Sequence, residues 1–213
     1  MATLKQKNQS FLITALILNC LYIYVFILEN SIQFTCLSSF LNVHNAIISS
    51  GIFILSITIN SLFSGENKAR LIFFKYKFYF PGCYAFTKYI ESDLRINRKI
   101  LEDNYGKLPI DNKEQNKLWY KMYKNVSDRG SVYLAHKYYL FFRDYFFLML
   151  ILSVSIIFYL LISDKNILIN KYKLLFPIII QILLAIIASR TQGIAFVKNV
   201  MAECSTKEGA RNE

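Results

Sequence analysis

The chain has 213 residues, 54% of them hydrophobic and 16% aromatic, with a formal charge of +11 at pH 7 and a mean hydropathy of +0.33. A soluble domain rarely reaches such oiliness without long apolar runs. The positive charge laid over them suggests a membrane protein whose basic aqueous part meets anionic lipid, phosphate or nucleic acid. The four cysteines, Cys20, Cys36, Cys83 and Cys204, form no C-x-x-C pair. That spacing does not make a disulfide framework and, with the two histidines far apart, a zinc site is not expected.

The first apolar run is Phe11–Leu28, "FLITALILNCLYIYVFIL", with no charge. As a helix it covers about 27 Å, most of a bilayer core. Lys5 and Lys7 ahead of it resemble the basic start of a signal peptide. The run is too long for that and no A-x-A site follows, so a retained span is expected.

Val43–Phe63 is a second uncharged run of spanning length. It carries a polar stripe, Asn45, Ser49, Ser56 and Asn60, spaced by four, seven and four. On a helix these fall within roughly 60° of arc. Lipid offers such groups no partners, so the stripe faces protein or water. It is either glue between spans or, with several copies around one axis, a pore lining. Asn19 in the first span and Gln181 in the fourth suit either arrangement.

From Ser64 to Asp144 the chain holds sixteen Lys and Arg against nine Asp and Glu, a net of +7. "RLIFFKYKFYF" (Arg70–Phe80) reads as a strand or as an interfacial helix with aromatic anchors. Pro81-Gly82, "YGKLP" (Tyr105–Pro109) and "SDRGS" (Ser127–Ser131) break the segment. Helices are predicted at Asp93–Tyr105 and Asn112–Val126, the second capped by Asp111 with Glu114 three residues on.

That second helix, "NKEQNKLWYKMYKNV", carries Lys113, Lys117, Lys121 and Lys124 at steps of four, four and three. These steps put all four within roughly 80° of arc. Leu118, Trp119, Met122 and Tyr123 lie opposite, and Trp119 is expected in a core. The lysine stripe is open to three readings: a solvated face, docking on an anionic leaflet, or capture of a phosphate-rich ligand. In the third, Tyr120 is available for base stacking.

One long helix is expected from about Ser131 to Ser163, entering the third span, Tyr145–Ser163. Arg143 and Asp144 mark its entrance; being consecutive, they point in different directions. Either they pair with another helix or they form a gate element. Leu174–Ser189 is the fourth span, with Pro177 expected in its first turn, where a missing N–H is tolerated.

The fold class expected is an all-α membrane protein with four transmembrane helices. Residues 1–63 form spans one and two, 64–137 a basic cytoplasmic helical module, 138–197 spans three and four, and 198–213 a cytoplasmic tail. The loop Glu29–Asn42 has no Lys or Arg, which places both termini and the central segment on the cytoplasmic side. The three lysines of Asp164–Lys173 are the exception. No P-loop, G-x-S-x-G, H-E-x-x-H or paired carboxylates are present, so neither an enzyme nor a cofactor is expected.

Three phrases, "FYFPGCYAFTKY", "EQNKLWYKMYK" and "AHKYYLFFRDYF", resemble the cytoplasmic part of small four-span proteins of bacterial anti-phage defence loci. The nearest likeness is to Hailong-type membrane effectors, with the Kiwa membrane subunit as another of similar size. The resemblance covers about Phe78–Phe146. It implies an oligomeric ion channel in the bacterial inner membrane, opened by an oligodeoxyadenylate from a partner nucleotidyltransferase and acting by abortive infection. It carries over no binding residues. Four spans do not enclose a polar channel alone, so a homo-oligomer, a tetramer by symmetry, is expected. The alternative is a non-conducting membrane anchor that recruits a cytosolic defence partner.

Overall fold

The computed structural model describes residues 3–31, 51, 54, 57–162 and 171–206. Six α-helices organise them: α1 Leu4–Ser31, α2 Gly65–Phe73, α3 Arg98–Tyr105, α4 Asn112–Val126, α5 Gly130–Ile162 and α6 Lys171–Cys204. A further helical stretch covers 57–62, and no strand occurs among the described residues. The chain is therefore all-helical, and Leu4–Phe26, Gly130–Phe158 and Leu174–Cys204 are long and apolar enough to cross a membrane. These are the marks of a multi-pass membrane protein. The expected second span, Val43–Phe63, lies largely outside the described residues.

At 33 and 34 residues, α5 and α6 are each about 50 Å long, well beyond a bilayer core of about 30 Å. Lys137, Arg143 and Asp144 all precede Tyr145 in α5, and Arg190 and Lys198 follow Ser189 in α6. We therefore read the membrane-spanning parts as the uncharged stretches beginning at Tyr145 and ending at Ser189. The chain divides accordingly into two compact units, Met1–Ser64 with Asp144–Ile186, and Gly65–Arg143 with Ile187–Glu213.

In the first unit, Leu12, Leu16, Met149, Leu152, Leu174 and Ile178 are buried, and Phe63 packs on Phe147 at a ring distance of 4.5 Å. Phe11, Leu18, Phe158, Leu161, Phe176 and Leu184 are exposed. Large apolar side chains turned outward on long helices suit lipid better than water. Polar groups find partners at once: Asn19 Nδ2 donates to the Ala15 carbonyl at 2.9 Å, Ser155 Oγ to Ile151 at 3.1 Å, and Tyr145 Oη to Gln181 Oε1. Asn19 thus bonds its own helix and also Tyr145 of α5, and Gln181 of α6 meets the same Tyr145.

The second unit is a helical module with its own core, built on Phe86, Ile90, Leu101, Trp119, Met122, Val126, Val132, Phe196, Val200 and Met201. α4 begins and ends at its predicted residues, and Asp111 caps it by accepting from the Lys113 and Glu114 N–H groups at 2.9 and 3.1 Å. Three other expectations are corrected. α3 starts at Arg98 rather than Asp93, because the Asp93 carboxylate folds back to accept from the Arg95 backbone at 3.1 Å, an alternative to helix, and Asn97 becomes the cap. Arg70–Phe80 is neither a strand nor an extended helix: α2 stops at Phe73, and Phe74 and Phe78 take left-handed φ of 50° and 52°. Pro177 lies inside α6 rather than in its first turn, because that helix begins at Lys171. α6 runs on to Cys204, since Phe196, Val197, Val200, Met201 and Cys204 keep a helical apolar spacing and are buried in the module.

Between α2 and α3 the chain forms a 3-10 turn, Pro81–Tyr84, and a π turn, Ala85–Tyr89. Gln115, fully buried on α4, holds this irregular backbone: its Oε1 accepts from the Phe86 and Thr87 N–H groups at 3.0 and 3.2 Å, and its Nε2 donates to the Ile110 carbonyl at 2.7 Å. Gly82 lets the turn press onto α4, since a Cβ there would meet Asn116 Oδ1 at 2.5 Å and Trp119 Cε3 at 2.7 Å.

Candidate ligand-binding site

The site grows from the two stripes that α4 presents side by side. Lys113, Lys117, Lys121 and Lys124 are all exposed, as one row along the helix. From Lys113 to Lys124 the row measures about 16 Å. Lys117 lies 3.7 Å from Glu114 and is 80% exposed, a pair too open to neutralise the row. Lys124 Nζ sits 5.1 Å from the centre of the Tyr120 ring, which is half exposed.

About 20° of arc separates Tyr120 from the lysine row on the wheel of α4. Beyond it, Asn116, Trp119, Tyr120 and Tyr123 line a cavity of about 350 Å³ within the module. The opposite walls come from α5, through His136, Tyr139, Leu140 and Arg143, and from α6, through Gly193, Phe196 and Val197; Pro81 and Gly82 close one end. The walls are an aromatic lattice. His136 stacks on Phe196 at 4.4 Å, Trp119 meets Phe196 edge-on at 5.1 Å, and Trp119 and Tyr123 are nearly parallel at 6.0 Å. Trp119 Nε1 points to the Val197 carbonyl at 3.4 Å, and Tyr123 Oη lies 3.1 Å from His136 Nδ1. Burial raises the Tyr123 hydroxyl above its ordinary pKa, so it stays protonated at neutral pH. Arg143 brings a permanent positive charge to this wall, 5.9 Å from the Tyr139 ring, and Gly65 makes room for it, since a Cβ there would lie 3.1 Å from Arg143 Nη1.

A cavity of this size and lining, with a few polar groups at its edges, fits the general pattern of small-molecule sites. The structure thus brings Lys113, Lys117, Lys121, Lys124, Tyr120 and Arg143 into one module. His136, Tyr139 and Phe196 were not foreseen as lining residues. The steps 136, 139/140, 143 on α5 and 193, 196/197 on α6 are the helical-face signal from which they could have been found.

The polar stripe of the second span is represented by Asn60; Asn45, Ser49 and Ser56 lie outside the described residues. Asn60 lines a different cavity, of about 430 Å³ and inside the first unit, together with Ser61, Asp144, Gln6 and Gln9 at its polar side and Leu12, Leu16 and Leu148 at its apolar side. Asp144 is buried at 2% exposure. Two sequence candidates of different origin, the stripe residue Asn60 and the entrance residue Asp144, therefore line one cavity, while Arg143 lines the aromatic one.

No family model, curated protein or solved structure matches this chain.

Proposed function

We propose that this protein is an oligomeric membrane channel of anti-phage defence, opened by a nucleotide or short oligonucleotide that binds its basic helical module. The observation that carries the reading is the pairing on α4 of an exposed lysine row with an aromatic cavity. Charge for phosphates and π-faces for bases are the two components of single-stranded nucleic-acid binding. The module faces the bacterial cytoplasm, and the bilayer is crossed an even number of times. Copies of the chain, four by symmetry, assemble so that the stripe containing Asn60 lines the common axis.

Gating follows from differential binding. A polyanion that binds the open arrangement more tightly than the closed one shifts the population toward it. α5 carries His136, Tyr139 and Arg143 of the ligand cavity and continues without a break through Asp144 into its apolar stretch. A partner nucleotidyltransferase supplies the ligand, and ion flow collapses the membrane potential.

The test is conductance of the purified full chain in liposomes, with and without short oligodeoxyadenylate. Ligand-dependent current is expected, with K117E/K121E removing ligand dependence at unchanged oligomer size and Asn60→Leu altering unit conductance. Absence of current under every ligand would overturn the channel and leave a membrane anchor for a cytosolic partner.

A further inference from the structure

The lysine row and the aromatic cavity differ in what they can hold, and the difference assigns parts of a ligand to each. The row is about 16 Å of exposed positive charge, suited to a run of phosphates and indifferent to what the phosphates carry. The cavity, at about 350 Å³, lies near the lower end of the roughly 300–1,000 Å³ found for small-molecule sites. It has room for about one nucleotide unit and not for a run of several. Its walls include the rings of Trp119, Tyr123, His136 and Phe196, and its lining also carries the Asn116 amide and the Arg143 guanidinium. Amide and guanidinium hydrogen-bond the edge of a heteroaromatic ring while the aromatic walls take its faces. Tyr120 belongs to both parts, as a cavity wall and as the ring under Lys124.

We infer that the aromatic cavity captures a single terminal nucleobase of a phosphate-linked ligand whose backbone then runs along Lys113, Lys117, Lys121 and Lys124. This inference rests on the proposed phosphate-ligand reading of α4 and adds that the module reads one end of its ligand. Charge is recognised by the row and identity by the cavity. A free nucleoside occupies the cavity without engaging the row, and a bare phosphate chain does the reverse.

Trp119 is the only tryptophan of the chain and lines the cavity, so its emission reports occupancy directly. The experiment titrates the purified full chain with a short oligodeoxyadenylate, with an abasic phosphodiester of the same length, and with adenosine, following tryptophan emission and affinity over a range of salt. The base-bearing chain is expected to bind about 10-fold or more tighter than the abasic one. It should change Trp119 emission, whereas the abasic chain should not. Both should share one salt slope, about −0.7 per phosphate engaged, because the phosphates use the same row. Tyr120→Ala, at a half-exposed position that leaves the core intact, should erase most of the difference between the two chains. Equal affinity for the two chains and unchanged emission, with binding still sensitive to K117E/K121E, would overturn the base-capture inference and leave the phosphate reading standing. Failure of both chains to bind at low salt would overturn the two together.

Discussion

Replacing Gln115 by Met keeps the volume of the side chain and removes its amide, and the structure says what that costs. Gln115 is fully buried, and three backbone groups depend on it: the Phe86 and Thr87 N–H groups and the Ile110 carbonyl. The Phe86 N–H lies in the core, away from water, so leaving it unpaired costs about 1–3 kcal/mol. The other two are partly buried; water replaces some of what they lose, and each costs about 0.5–1 kcal/mol. The expected loss is about 2–5 kcal/mol, a large share of the stability of a small module. Urea titration of the full chain in detergent, followed by tryptophan emission, measures it cleanly. The sole tryptophan, Trp119, sits one helical turn from Gln115 and is buried in the module core. The midpoint should fall while the native emission maximum stays in place. Amide exchange at Phe86 and Thr87 should accelerate more than exchange at Met122 on the same helix. A stability change below about 0.5 kcal/mol would mean that the π turn holds its own shape, and the argument from Gln115 would fail.

Gly82→Ala should destabilise the module by about 1–3 kcal/mol and shift Trp119 emission, because the new Cβ would meet Asn116 Oδ1 at 2.5 Å and Trp119 Cε3 at 2.7 Å; unchanged emission would refute the close approach. Gly106 closes α3 with φ of 79° and ψ of −169°, a region almost confined to glycine, so Gly106→Ala should cost about 1–3 kcal/mol in the same titration although nothing lies within 4 Å of a Cβ there. Arg95, bonded to Asp93 at 2.7 Å, holds the Asp93 carboxyl below the usual carboxylate range. A lowered folded pKa stabilises above the unfolded value of about 3.9 and loses that stabilisation as pH falls through the folded value. Arg95 is 59% exposed, so the effect is below about 1 kcal/mol. Asp93→Asn should accordingly flatten the acid limb of the stability–pH curve and leave the alkaline limb as it is.

Helix α4 was legible in full because each local signal agreed: the Asp111 cap, the helical spacing of Trp119, Met122 and Val126 toward the core, and the lysines on the other side. The turn before it was not, although Pro81-Gly82 marked a break. "FYFPGCYAF" is rich in aromatic residues, which serve strand, helix or interface alike. Its shape is set instead by an amide 29 residues away, on Gln115, which no local pattern announces. Asp93 misled for the opposite reason. An acid before an apolar stretch is a fair helix start, but Arg95 lay within reach and offered a tighter local partner. The cavity shared this dependence on distance. Its walls come from three helices spread between Asn116 and Val197, and only the fold shows that their aromatic faces converge.

The boundary between the charged and uncharged parts of α5 was visible as a step in composition, and the structure gives that step a physical content. A helix turns about 100° per residue, so consecutive side chains must serve different surroundings. Arg143 lines the aromatic cavity of the module, and Asp144 lines a separate cavity of the first unit together with Asn60. A buried carboxylate at the head of a membrane-spanning stretch is expensive to keep and is ordinarily retained for a task. In the proposed mechanism that task lies in the first unit, where Asp144 lines the same cavity as Asn60 of the polar stripe.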